Sequence, residues 1–194
     1  MNKVFRAVAL FLLVASCSSG VQSPPRNLDN ACSIASQRPS WFADMKQTER
    51  KWGIPVHVQM ATIHQESKFV GDARTPLRYT LGIIPMGRQS SAFGYSQALD
   101  ATWDEYRDDQ RRRRAKRDNF SDAVDFMGWY MNGSTERLGI PRSDARNQYL
   151  AYHEGRAGFA RGSYNRKSWL LGVSSRVATR ADMYRNQLIG CGRA

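Results

Sequence analysis

With 194 residues the chain is long enough for one domain with a real core. It carries 29 Lys and Arg against 17 Asp and Glu, a net charge of +12, and a basic surface of this kind suits an acidic partner. The three cysteines and three histidines are scattered; His57 and His64 share a helical spacing but have no third ligand, so no metal site and no cofactor is expected.

The N-terminus comes first. Lys3 and Arg6 open the chain, an apolar run follows from Ala7 through Ala15, and small residues close it. This is the pattern of a secretory signal over residues 1–16, too short in its apolar part to span a bilayer. Loss of Lys3 and Arg6 with the signal takes the charge from +12 to +10. Export disfavours nucleic acid as the acidic partner and leaves peptidoglycan stem peptides and anionic lipid headgroups. Leu13-Val14-Ala15-Ser16-Cys17 resembles a bacterial lipobox, which implies a lipid on Cys17 and a membrane anchor. Ser18, where an Asp would retain such a lipoprotein at the inner membrane, implies the outer membrane, facing the periplasm. Residues 17–39, rich in Ser, Pro and Asn, read as a tether, and 40–194 as the folded domain. Cys32 and Cys191 remain, and an oxidising compartment permits a disulfide between them. Closing so long a loop is worth about 4–5 kcal/mol in the chain-entropy picture. The other reading of the pair is two unpaired thiols.

From Ser40 the pattern turns helical, with Ser40 as a cap and Trp41, Met45 and Trp52 at near-helical spacing until Gly53. Pro55 suits the first turn of a second helix. There Val56, Met60, Ile63 and Ser67 fall on one face, and Glu66 lies beside that face at the C-terminal end. Residues 70–92 hold Gly71, Pro76, Gly82, Pro85 and Gly87 and read as an irregular loop with a short hairpin around Tyr79–Ile84. A helix is expected within 94–106. The run Arg111-Arg112-Arg113-Arg114-Ala115-Lys116-Arg117 reads as a solvated face, or as a contact for acidic stem peptides or a membrane surface. Further helices are expected over 121–131 with Ser121 as cap, 143–154 with Ser143 as cap, 163–171 and 176–189. The fold class is mainly α.

A catalyst of glycosidic cleavage needs a carboxylic acid that keeps its proton near neutral pH, which calls for burial and no close cation. Glu66 follows an apolar helical stretch, at a helix C-terminus whose carbonyls disfavour a carboxylate. Taken alone it is one helix-end Glu among many. Two downstream segments change its weight: Gly94-Tyr95-Ser96-Gln97 and Ala151-Tyr152-His153-Glu154-Gly155. With Glu66-Ser67 they form an ordered set that resembles the lysozyme-like domain of soluble lytic transglycosylases, which carries E-S, G-L-M-Q and A-Y-N-x-G segments in this order. The resemblance covers about residues 40–189. It implies a helical domain with a cleft that cuts the β-1,4 bond between N-acetylmuramic acid and N-acetylglucosamine. In that scheme Glu66 is the sole acid/base, the product is a 1,6-anhydro sugar, and no second carboxylate is needed, unlike the usual two-carboxylate glycosidases.

Carried over by position, Ser67 faces the cleft, Tyr95 and Ser96 shape the pocket, and Gln97 contacts substrate or holds the loop. Tyr152 hydrogen-bonds Glu66, with a core aromatic as its plainer reading. Three departures stand out. The spacer between Ser67 and Gly94 is long, which suggests a lid or substrate wall. Tyr95 and Ser96 replace Leu and Met. His153 replaces Asn, and with Glu154 leaves the proton path open. Asp72, between Gly71 and Ala73, is the candidate second carboxylate for a lysozyme-type hydrolytic reaction and otherwise a turn residue. A non-catalytic peptidoglycan-binding lipoprotein is the third reading. A monomer is expected.

Overall fold

The computed structural model describes residues 22–193 except Gly82; the expected signal segment and the lipidation at Cys17 lie outside the described residues. The chain is mainly helical: α1 (Ala31–Gln37), α2 (Pro39–Trp52), α3 (Val56–Ser67), the antiparallel strands β1 (Leu77–Thr80) and β2 (Ile84–Arg88), α4 (Asp100–Asp109), α5 (Phe120–Leu138), α6 (Ala145–Ala160), a 3-10 turn (Ser163–Arg166) and α7 (Ser168–Gly190).

The spine is α5. Its residues from Ala123 to Asn132 are all buried, as befits a helix enclosed on every side. Asn119 caps it by accepting from the N–H of Asp122 at 3.1 Å, in place of the expected Ser121, and Gly139 closes it at φ 69°. One apolar layer joins α5 to α2 and α3. Trp41 stacks on Phe120 with centroids 4.3 Å apart and on Phe69 at 6.2 Å, and Val58, Met60 and Ile63 of α3 are fully buried beside them. A second layer, built from Trp103, Tyr106, Phe126 and Trp129, packs α4 onto the other flank of α5.

Asp125 is a charge inside this body, only 7% exposed. Burial opposes its ionisation. Donors from Tyr106 at 2.7 Å, Trp52 at 2.8 Å, Lys51 at 3.0 Å and Arg112 at 2.8 Å outweigh that and hold its carboxyl below the usual range. The arginine run is therefore not one solvated face. Arg112 is a rivet between α4, α5 and their connecting loop, and Arg117 pairs with Asp100 at 2.7 Å, while Arg111, Arg113 and Arg114 are exposed.

Several boundaries differ from the sequence reading. Residues 31–37, expected to be tether, form α1, with Ala31, Ile34 and Ala35 fully buried. Long-range contacts fold them: Cys32 is disulfide-bonded to Cys191, 159 residues away, and Asn30 caps the helix. Pro39, rather than a capping Ser40, starts α2, because a proline fits the first helical position. Asp144, accepting from Asn147 N–H at 3.0 Å, caps α6 in place of Ser143. Residues 94–97 form a turn closed by a bridge between Phe93 and Ala98, and α4 begins only at Asp100. The two C-terminal helices are a 3-10 turn and one helix, α7, that runs through Gly172.

Candidate active site

Glu66 occupies the last turn of α3. The chain then leaves the helix through two consecutive left-handed residues, Lys68 at φ 53° and Phe69 at φ 62°. Such backbone is strained for residues with a Cβ. It is held because Phe69 is fully buried in the stack with Trp41 and Phe120. The anchored ring thus fixes the point at which α3 stops and the direction in which Glu66 is presented.

Glu66 as a residue retains some accessible surface, although protein surrounds its carboxyl on nearly every side. Burial pushes its pKa up to about 7, against smaller opposing effects from the neighbouring Tyr149 hydroxyl and from the charge of Lys68. Tyr149 is only 4% exposed, and burial beside Glu66 drives its own pKa far up, so it is a permanent neutral donor. No second carboxylate acts appreciably on Glu66 among the described residues. Asp72 is exposed in the turn after Gly71.

The Gly94–Gln97 segment forms the neighbouring wall. Gly94 has φ 79°, and a Cβ there would lie 2.1 Å from the Arg117 carbonyl oxygen, so only glycine fits. Its N–H donates to Ala73 O at 3.0 Å. Gln97 donates from Nε2 to Ala73 O at 2.9 Å and Gly94 O at 2.8 Å, so its amide holds the loop. Ser96 is fully buried; its carbonyl accepts from the Tyr152 hydroxyl at 2.7 Å, and its own hydroxyl has no hydrogen-bond partner among the described residues. The structure thus ties α6, the Gly94–Gln97 turn and the residues after α3 together around Glu66.

The transglycosylase SLT domain matches the chain over residues 5–191. The chain belongs to that family. At family level the SLT-domain protein is a transglycosylase-type enzyme whose substrate is peptidoglycan glycan, and its mainly helical body is consistent with a lysozyme-like fold. No curated protein and no solved structure matches the chain.

Several residues of this SLT domain fall elsewhere than the motifs suggested. Tyr152 donates to Ser96 O rather than to Glu66; the hydroxyl that acts on the Glu66 carboxyl is that of Tyr149, one helical turn earlier on α6. The i, i+3 spacing of Tyr149 and Tyr152 is the signal for this in the sequence, although only Tyr152 lies in the recognisable motif. Tyr95 is a core residue, 2% exposed and edge-on to Trp41 and Phe120, and does not shape a substrate pocket. Ser67 is 6% exposed and donates back to Ile63 O at 3.3 Å, as a serine in the last helical turn does. His153 is exposed and lies against Trp169 at 5.3 Å.

Glu154, the carboxylate of the Ala151–Gly155 segment, is a brace. Its side chain is 4% exposed and accepts from Lys167 at 2.7 Å, from Ser163, and from His153 at 3.2 Å. Burial opposes its charge, but these three partners outweigh it and hold the pKa down at about 2. The brace closes over Gly155, whose φ 74° and ψ 154° kink α6.

Proposed function

We propose that the protein is a lytic transglycosylase that cleaves the β-1,4 bond between N-acetylmuramic acid and N-acetylglucosamine with Glu66 as its single acid/base. The observation that carries this reading is the setting of Glu66: a carboxyl pushed up to about 7 by burial, with the neutral phenol of Tyr149 beside it. In the protonated state Glu66 gives its proton to the glycosidic oxygen as the C1–O bond breaks. The substrate's own N-acetyl group stabilises the resulting cation. The Glu66 carboxylate then takes the proton of the muramyl C6 hydroxyl, whose oxygen closes on C1. The 1,6-anhydro product forms, Glu66 is protonated again, and no water is consumed. Tyr149 orients the carboxyl and supports its anionic state between the two steps. Tyr152, Ser96 and Gln97 act indirectly, by holding the wall opposite α3.

The test is digestion of purified peptidoglycan with mass analysis of the muropeptides. Anhydro products, lighter by one water than hydrolytic ones, are expected. Hydrolytic masses would assign a muramidase instead, and no products from well-folded protein would assign a binding module. The same proposal includes a monomer held by a lipid on Cys17 at the outer membrane, facing the periplasm. Palmitate labelling that is lost in Cys17→Ser is the expected result, and labelling that persists would remove the anchor from the scheme.

A further inference from the structure

The β1–β2 hairpin is unlike the rest of the molecule. Every residue of both strands is exposed. Of the nine large hydrophobic side chains that stand exposed among the described residues, six lie here: Leu77, Tyr79, Leu81, Ile83, Ile84 and Met86. Exposure is greatest at the turn, 85% at Leu81 and 79% at Ile83, against 43% at Leu77. A cluster of this kind is large for a protein surface and marks an interaction site.

We infer that this hairpin inserts its apolar tip into an anionic lipid bilayer. Three observations select that occupant. The register pairs Thr80 with Ile84 and Tyr79 with Pro85, so apolar side chains project from both faces of the ribbon as well as from its end. A protein partner covers one face, whereas a bilayer surrounds a tip on all sides. The tip residues Leu81 and Ile83 are aliphatic and carry no hydrogen-bonding or aromatic side chain, which is a poor fit to a sugar. Finally, the charge is graded as an interface requires. Arg78 and Arg88 flank the apolar end and Arg74 stands at the base, while no Asp or Glu occurs from Ala73 to Leu99. Arg117, which donates to Ser91 O at 3.0 Å, ties the loop bearing the exposed Arg111, Arg113 and Arg114 to the same base. Apolar tip, amphipathic Tyr79 and basic collar together match a bilayer's hydrocarbon, interface and anionic headgroups.

The base of the hairpin is joined to the site by Gly94 and Gln97, both bonded to Ala73 O. Insertion would therefore hold the Glu66 cleft at a set height above a membrane and restrict it to glycan lying close to that surface. The inference stands apart from any lipid on Cys17.

The experiment uses the full chain carrying Cys17→Ser, with a tryptophan added by Ile83→Trp, and vesicles of phosphatidylcholine with or without phosphatidylglycerol and brominated acyl chains. The parent's tryptophan signal is subtracted, and Ile189→Trp, at the far end of α7, serves as the control. The expected result is that emission from Trp added at 83 is largely quenched in anionic vesicles and that from 189 is not. Leu81→Asp with Ile83→Asp should weaken vesicle binding about tenfold or more, and Arg78→Gln or Arg88→Gln about fivefold each on anionic vesicles only. Three results would overturn the inference: equal quenching at both positions, unchanged vesicle binding of the aspartate pair, or a solution dimer that the aspartate pair dissociates. Cleavage of soluble glycan fragments by the aspartate pair should remain at the parent level; its loss with vesicle binding intact would assign the hairpin to the glycan instead. None of these readings depends on whether the muropeptide products are anhydro or hydrolytic.

Discussion

The floor around Glu66 and the corner around Glu154 place the same side chain under opposite conditions, and α6 serves both, giving Tyr149 to the first and Glu154 itself to the second. Burial opposes ionisation in each. At Glu66 the resisting groups are a neutral hydroxyl and the charge of Lys68, and the pKa stays up at about 7. At Glu154 an ammonium group, a hydroxyl and an imidazole all reach the carboxylate, and it falls to about 2. The two differ in depth as well as in partners: Glu66 is enclosed by protein on nearly every side and has no bonded cation among the described residues, whereas Glu154 lies in a shallow corner, covered by the groups that bond it. The first carboxyl can give and take a proton near neutrality; the second is a permanent anion that fastens a kinked helix to the turn before α7.

Each side of this contrast can be tested. The largest effect belongs to Glu66→Gln, which should reduce peptidoglycan cleavage by about a thousandfold or more with circular dichroism unchanged; retained turnover would break the contrast outright. Next is the pH dependence of stability. The folded pKa of Glu66, about 7, lies above its ordinary 4.5, so the folded state binds the extra proton between those values. Its contribution to stability is complete below the lower value and is lost as pH rises through the upper one, by up to about 3 kcal/mol. Denaturant unfolding should therefore find Glu66→Gln more stable than the parent at about pH 8 and equal to it at about pH 4, and cleavage by the parent should decline above about pH 7.

A smaller effect separates the two tyrosines. Tyr149→Phe removes the group that lowers the Glu66 pKa, so turnover should fall about tenfold and the alkaline limb of the pH–rate profile should move up. Tyr152→Phe should leave that limb in place, because its hydroxyl serves Ser96. The smallest concerns the brace. Glu154 contributes stability above its ordinary 4.5 that is lost as pH falls toward about 2. Lys167→Met raises that lower limit, so acid unfolding should begin at a higher pH, with a loss of about 1 kcal/mol at neutral pH for so peripheral a pair and little change in turnover.

Much of the frame was legible in the chain. The period of Val56, Met60, Ile63 and Ser67 placed Glu66 at the end of an inward-facing helix, and Gly53 and the glycines and prolines of 70–92 marked the turn and the hairpin. The motifs located the three segments that meet at Glu66, but they assigned its hydrogen bond to Tyr152 and put Tyr95 in a pocket. A four-residue pattern names a segment. Which of its side chains turns toward the site depends on how the helices are rotated against one another, and that rotation is set by packing that no local pattern encodes. Arg112 makes the same point: nothing in a run of four arginines distinguishes the one that Asp122 and Asp125 draw inward.

The sequence by itself determined the helical class, the position of Glu66 in the last turn of its helix and the family to which the ordered motifs belong, because these rest on local spacing and on residues close in the chain. Only the tertiary structure decided that residues 31–37 fold, that Tyr149 stands beside Glu66, that Glu154 is paired with Lys167 and that the hairpin's apolar side chains find no cover among the described residues. Each of these is a contact, or the lack of one, between groups brought together across helices, and its energy exists only once α3, α6 and α7 have packed.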